Sequence, residues 1–119
     1  MLIKKLAEYC EIEPDDRAEE AYILHFPFPN AVRAHIRIVF NDRQTGADLV
    51  ITNMTVIPHT AYGRGFGSQA LAVLLEQAWE AGLRDIRAVQ VQRQSERFWE
   101  KNRFSRVGNV TNDFLYHHA

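Results

Sequence analysis

The segment AYGRGFGSQA, residues 61–70, constrains the fold more than any other part of the chain. Gly63, Gly65 and Gly67 alternate with Tyr62, Arg64 and Phe66, between a strand-like apolar run and a run with helical spacing. The first four N–H groups of a helix lack intrahelical partners, and the helix dipole places partial positive charge there. Glycines on the entering turn let those groups converge on an anion without obstruction by Cβ atoms. Arg64 adds a planar fork of donors suited to phosphate. The segment therefore has the chemistry of a pyrophosphate cradle. The plain alternative is a turn that lets a helix pack close to a sheet. The dinucleotide fingerprint G-x-G-x-x-G is not met, because position 68 is Ser. No Lys-Ser/Thr pair follows to make a P-loop.

The flanking sequence supplies the elements that such a turn joins. Residues 2–10 carry Leu2, Ile3, Leu6, Tyr9 and Cys10 at helical spacing. Pro14 interrupts, and Asp16 with Glu19 resembles a capping box that predicts a second short helix. AYILHFPF turns strand-like, and PFPN at 27–30 is turn material. In 32–40, Val32, Ala34, Ile36, Ile38 and Phe40 alternate with Arg33, His35 and Arg37, the pattern of a half-buried antiparallel strand. NDRQTG at 41–46 is a turn. A longer strand over 48–57, apolar on both faces and so more central, ends at Pro58. Residues 67–81 read as a helix with Leu71, Leu74, Leu75, Ala78 and Trp79 inward. Gly82 is its left-handed cap and Leu83 the contact after it. A strand over 85–92, a helix over 96–102 capped by Ser95, and a hairpin around NVTN complete the chain. Three antiparallel strands thus precede the main helix, and the class is α/β (α+β) with a mixed, mostly antiparallel sheet.

A length of 119 residues fits a single domain, 1–119. A net charge of −1 makes no electrostatic case for nucleic acid or an anionic membrane. No apolar run is long enough to span a bilayer or to act as a secretion signal, so a cytoplasmic protein is expected. Cys10 is the only cysteine, which excludes an internal disulfide, and no metal is expected.

A second constellation follows the glycine turn by about 30 residues: VQVQRQSERFWEKNRF, with Phe98, Glu100, Lys101 and Phe104. Together, MTVIPHTAYGRGFGSQALAVLLEQA and this later segment resemble the signature of the GNAT superfamily of N-acetyltransferases, over residues 48–106. The resemblance implies splayed central strands flanked by helices and acetyl-CoA as cosubstrate. Its pyrophosphate would be held by the backbone N–H groups of Gly63, Arg64, Gly65, Phe66, Gly67 and Ser68. Its pantetheine arm would bond the exposed edge at Met54, Thr55 and Val56. Ser95, Phe98 and Trp99 would flank the thiol. The reaction would be direct attack of an amine, from a small molecule or a protein, on the thioester. The resemblance also leaves room for a homodimer.

Several positions depart from the family pattern. Tyr62 stands where Gln or Arg is usual, and its ring either stacks on the cofactor or packs. Trp99 stands where many relatives carry a tyrosine acid, and an indole N–H does not act as an acid at neutral pH. Arg103 replaces the glycine before the closing phenylalanine, and the strand ending at Pro58 lacks the glutamate that some relatives use as base. The substitutes are His59 in a loop, His35 between Arg33 and Arg37, Asp48 at a turn, and Tyr116 on the closing strand. Each also has a plain structural reading. His117 and His118 read as a frayed end. Loops 11–21, 41–46 and 108–113 are the segments expected to shape an acceptor pocket. The alternative to an enzyme is a module of this fold that binds CoA or a partner protein.

Overall fold

The computed structural model describes residues 2–118. A short helix α1 (Leu2–Leu6) leads into β1 (Glu11–Pro14), β2 (Ala21–Pro27), β3 (Arg33–Phe40) and β4 (Leu49–Ile57). Helix α2 (Phe66–Glu80) crosses to β5 (Ile86–Ala88), and α3 (Glu96–Lys101), β6 (Phe104–Arg106) and β7 (Phe114–Tyr116) follow. One seven-stranded sheet runs in the order β1-β2-β3-β4-β5-β7-β6. Every pairing is antiparallel except β4 with β5. That parallel pair needs a long crossover, and α2 supplies it.

The alternation in β3 sorts its residues as the sequence predicts. Ala34, Ile36 and Ile38 are fully buried, facing Leu24 and Phe26 of β2 and the inner face of α2. Leu71, Leu74 and Ala78 form that inner face. Trp79, expected there too, is only half-buried and turns toward Tyr116 and His118 at the helix flank. The end of α2 follows expectation. Gly82 adopts φ +94°, its N–H donates to the Trp79 carbonyl at 3.0 Å, and the Leu83 N–H donates to the Ala78 carbonyl at 3.1 Å. These two bonds cap carbonyls that the helix leaves unpaired.

The N-terminal third differs from expectation. α1 stops at Leu6, whose carbonyl accepts from the N–H groups of both Tyr9 and Cys10. Residues 11–14 are a strand registered against β2, so four strands and not three precede α2. No helix forms at Asp16–Glu19. Pro14 and Ala21 are both held in the ladder, and Asp15 closes the gap instead. Its carboxylate accepts the Arg17 backbone N–H at 3.1 Å, an Asx turn that competes with a helix start. The same carboxylate accepts Arg17 Nε at 2.9 Å and Arg37 Nε at 2.6 Å. Asp15 is buried, and these bonds, Arg17 first and then Arg37, hold its carboxyl well below the usual carboxylate range. Arg37 is therefore a structural cation.

β5 is also shorter than the 85–92 expected. Gln90 takes φ +53°, which ends the ladder. The Gln90 N–H donates to Asp113 Oδ1 at 3.1 Å, and the Val91 N–H donates to the Asn112 carbonyl at 2.8 Å. Ser95 precedes α3 as expected but makes no side-chain cap bond, because a 3-10 turn over Arg93–Ser95 runs straight into the helix. The closing hairpin forms between β6 and β7. His117 and His118 are not frayed. The His117 N–H donates to the Arg103 carbonyl at 2.8 Å, and the His118 ring stacks on Trp79 with centroids 4.3 Å apart.

Candidate active site

The sheet forks between its two central strands. β4 pairs with β5 only at Leu49, Val50 and Ile51, and the Val89 N–H donates to the Ile51 carbonyl at 3.1 Å as the last link. Beyond Ile51, β4 runs on to Ile57 with β3 as its one strand neighbour. Its other edge therefore faces an open cleft of about 550 Å³. Thr52 sits at the fork as an extra residue, where the β3–β4 register shifts between Arg37 and Ile38. Arg37 Nη1 donates to Thr52 Oγ1 at 2.9 Å and ties this bulge to the buried ion pair.

The glycine turn closes one end of the cleft. Gly63 and Gly65 have φ of +81° and +88°, and a Cβ on either would meet no atom within 4 Å. They are glycines because the backbone is left-handed there. Gly67 is a glycine for a different reason. A Cβ there would lie 3.4 Å from both Met54 Sδ and a Phe98 ring carbon. It lets α2 approach β4 and α3 at close range. Gly65 caps α2 without a side chain, and among the described residues the N–H groups of Gly63, Arg64, Gly65 and Phe66 make no turn or cap hydrogen bond. Asn102 Nδ2 donates to Ser68 Oγ at 3.2 Å and to the Phe98 carbonyl at 2.8 Å, so α3 is pinned against the first turn of α2.

Most residues expected to hold a cosubstrate come together here. Met54, Val56, Gly63, Gly65, Phe66, Gly67, Ser68, Ser95, Phe98 and Trp99 line the cleft. Thr55 and Arg64 do not. Thr55 is across from His35 on the sheet, and Arg64 is exposed. Tyr62 lines the cleft and is 52% exposed, its ring 4.7 Å from that of His59, so it is not packed into the core. Trp99 is buried, between Phe98 and Phe104 with ring centroids at 5.2 and 5.0 Å. Sequence reasoning missed Thr52, Asn53, Val89, Gln90, Gln92 and Gln94 on the walls. The alternation of glutamines at 90, 92 and 94 was the one signal for them.

The expected acid–base substitutes lie elsewhere. His35 packs edge-on against His25 with centroids at 4.6 Å. Burial first, then the neighbouring His25 and Arg33, push its pKa down. His59 sits in the 3-10 turn after β4 and does not line the cleft. Tyr116 lines a separate groove with Trp79 and Glu76, and burial pushes its pKa up. Asp48 accepts the backbone N–H groups of Arg84 and Asp85 at 2.9 and 3.0 Å, which anchors β5 beside β4. Cys10 is buried, and burial pushes its thiol up to about 11. Loops 11–21, 41–46 and 108–113 contribute no lining residue. Asn112 and Asp113 act indirectly, by holding Val91 and Gln90.

A mixed sheet forked beside a glycine-led crossover helix settles the architecture. The fold is GNAT-like. No protein-family model and no curated protein matches the sequence. Among solved structures, the KacTA–DNA complex superposes with a TM-score of 0.59 at 15% identity, over 81% of this chain and 65% of that one. AtaTR bound with acetyl-CoA gives 0.55 at 16% identity, again over 81% of this chain and 65% of that one. PH1933 from Pyrococcus horikoshii OT3 gives 0.59 at 14% identity, over 98% of this chain and 72% of that one. This chain thus spans 65% of the length of the first two. At these identities the likeness is one of fold. No described helix is long and apolar enough to cross a membrane.

Proposed function

We propose that the protein is an acetyl-CoA-dependent N-acetyltransferase that acts on an amine acceptor. One observation carries the reading: the unpaired edge of β4 and the glycine turn line the same cleft. The residues fit the cosubstrate. An extended amide-bearing arm suits the free edge from Met54 to Val56, because such an edge offers backbone donors and acceptors with no strand partner. Gly63 and Gly65 leave open space beside unbonded N–H groups at the start of α2, the environment that a pyrophosphate needs. Lys101 on the cleft wall adds a cation on that side. A solved structure of the same fold is bound with acetyl-CoA, which supports the assignment.

Acetyl-CoA supplies an activated acetyl thioester. The chain's own part is to hold it along β4, to exclude water with Phe66, Phe98 and Trp99, and to present backbone N–H groups near the Thr52 bulge to a carbonyl oxygen. A dedicated acid is not obligatory, since a thiol of pKa near 8.5 is a tolerable leaving group. A second reading has its own observation. The titratable side chains lining the cleft are Tyr62 and Lys101, with no carboxylate or imidazole, as in a module that binds CoA without turning it over.

Thermal unfolding with millimolar acetyl-CoA, CoA or NAD tests the first step. A ligand at about 100 times its Kd adds about 2.7 kcal/mol of stability. For a domain of this size that is a rise on the order of 10 °C in Tm. A rise with acetyl-CoA and CoA but not NAD is the expected result. No rise with any of them sinks the assignment.

A further inference from the structure

The walls of the fork indicate what the acceptor is. Asn53 on β4 and Gln90 after β5 lie just past the last link between the strands, one on each wall, and both are exposed. Some of their polar neighbours are already engaged. Thr52 Oγ1 accepts from Arg37, and Gln94 Nε2 donates to Gln92 Oε1 at 2.7 Å. Among the described residues the side-chain amides of Asn53 and Gln90 make no hydrogen bond. The Gln90 backbone is held in its left-handed conformation by Asp113, which fixes where its side chain leaves the wall. The chain has 15 Asp and Glu and five His, all within residues 2–118, and none lines the cleft. The two titratable linings belong to the other end: Tyr62 precedes Gly63, and Lys101 precedes the Asn102 that bonds Ser68.

We propose that the acceptor is the α-amino group of a peptide-like molecule, bound at the fork through Asn53 and Gln90. The inference rests on the acetyltransferase reading. A fork without a side-chain base favours an amine that is already neutral. At pH 7 about a tenth of an α-amine of pKa 7.7–8.0 is neutral, against about one in 2,500 of a lysine of pKa 10.4. Lower intrinsic nucleophilicity offsets part of that advantage. The nitrogen–carbon bond forms as the carbon–sulfur bond breaks, and the amine's proton leaves for the thiolate sulfur, which gives an amide and a thiol. A fork without carboxylates also offers no counter-charge to a protonated amine or a polyamine. Two free side-chain amides instead match the donor and acceptor of a peptide group one bond beyond the α-carbon. No cation lines the fork itself, and exposed Arg93 stands beside it between Gln92 and Gln94, so a peptide is set against an aminoacyl ester on RNA in the test.

The test uses the whole chain, acetyl-CoA and two versions of one peptide: free N-terminus with acetylated lysine, and blocked N-terminus with free lysine. Products are mapped by mass spectrometry at pH 7 and pH 9, and acetyl-CoA binding is followed by Tm in the same samples. The expected result is at least a tenfold preference for the α-amine at pH 7, narrowing at pH 9. Asn53→Asp or Gln90→Glu, each placing a carboxylate at the fork, should raise the lysine rate and narrow the preference at pH 7. Asn53→Ala should raise KM for the peptide more than it lowers kcat. Equal or faster lysine acetylation at pH 7 overturns the proposal. So does faster transfer to an aminoacyl-RNA ester than to the peptide. Acetyl-CoA binding with no transfer to either peptide overturns it in favour of the binding module, whereas no acetyl-CoA binding removes the reading beneath it.

Discussion

The β3–β4 and β4–β5 interfaces share one strand and behave in opposite ways. β3 and β4 are paired from Arg33–Ile57 to Phe40–Leu49, with a single bulge. β4 and β5 are paired at three positions and then part. The antiparallel side buries Ala34, Ile36 and Ile38 without gaps, and the parallel side opens a cleft of about 550 Å³. The difference lies in what faces each edge. β3 offers β4 an uninterrupted alternating strand. β5 is cut at Gln90 because Asn112 and Asp113 take the N–H groups of Val91 and Gln90. One half of the sheet therefore supplies stability, and the other leaves a strand edge unpaired beside the cleft.

This contrast can be broken at either side. Ile36→Ala removes a fully buried side chain from the paired half and should cost about 2–5 kcal/mol, read by denaturant unfolding. The acetyl-CoA-induced rise in Tm should survive it. Gly65→Glu should do the reverse. It puts a side chain and a negative charge in the turn at φ +88°, and should abolish the ligand's contribution of about 2.7 kcal/mol in the same Tm assay while the protein still folds. A Gly65→Glu protein that keeps the full acetyl-CoA shift would remove the turn from the site.

Asp113→Ala sharpens the comparison. Loss of its bond to the Gln90 N–H should cost about 1 kcal/mol and speed amide exchange at Gln90 while β3 stays protected. Unchanged exchange at Gln90 would mean that the cut in β5 has another cause. The smallest effect is expected from His35, on the open face of the paired half. Its folded pKa lies below the unfolded value, so the unfolded chain binds the proton first as pH falls below about 6.5. Stability should therefore decline from that pH downward until the folded-state histidine is itself charged. His35→Gln should flatten this part of the profile. The acid loss at still lower pH, from Asp15 and Asp48, whose carboxyls are both held low, should remain.

Where local chemistry is sufficient, the sequence alone determined the outcome. The alternation through Val32–Phe40 requires one buried face whatever its partners, and Gly82 with Leu83 ends α2 by bonds confined to one turn. The glycine turn was legible for the same reason, since positive φ at Gly63 and Gly65 is a property of the chain itself. Tertiary structure decided the rest. Asp16 and Glu19 read as a helix start, but Asp15 found Arg37, 22 residues away, and the segment became a turn. Residues 85–92 read as one strand until Asn112 and Asp113 drew off its backbone donors. His118 read as a loose end until Trp79 gave it a ring to stack on. The walls of the cleft belong to this second group. Asn53 and Gln90 are 37 positions apart and carry no shared local pattern, so only the fork brings them to opposite sides of one opening.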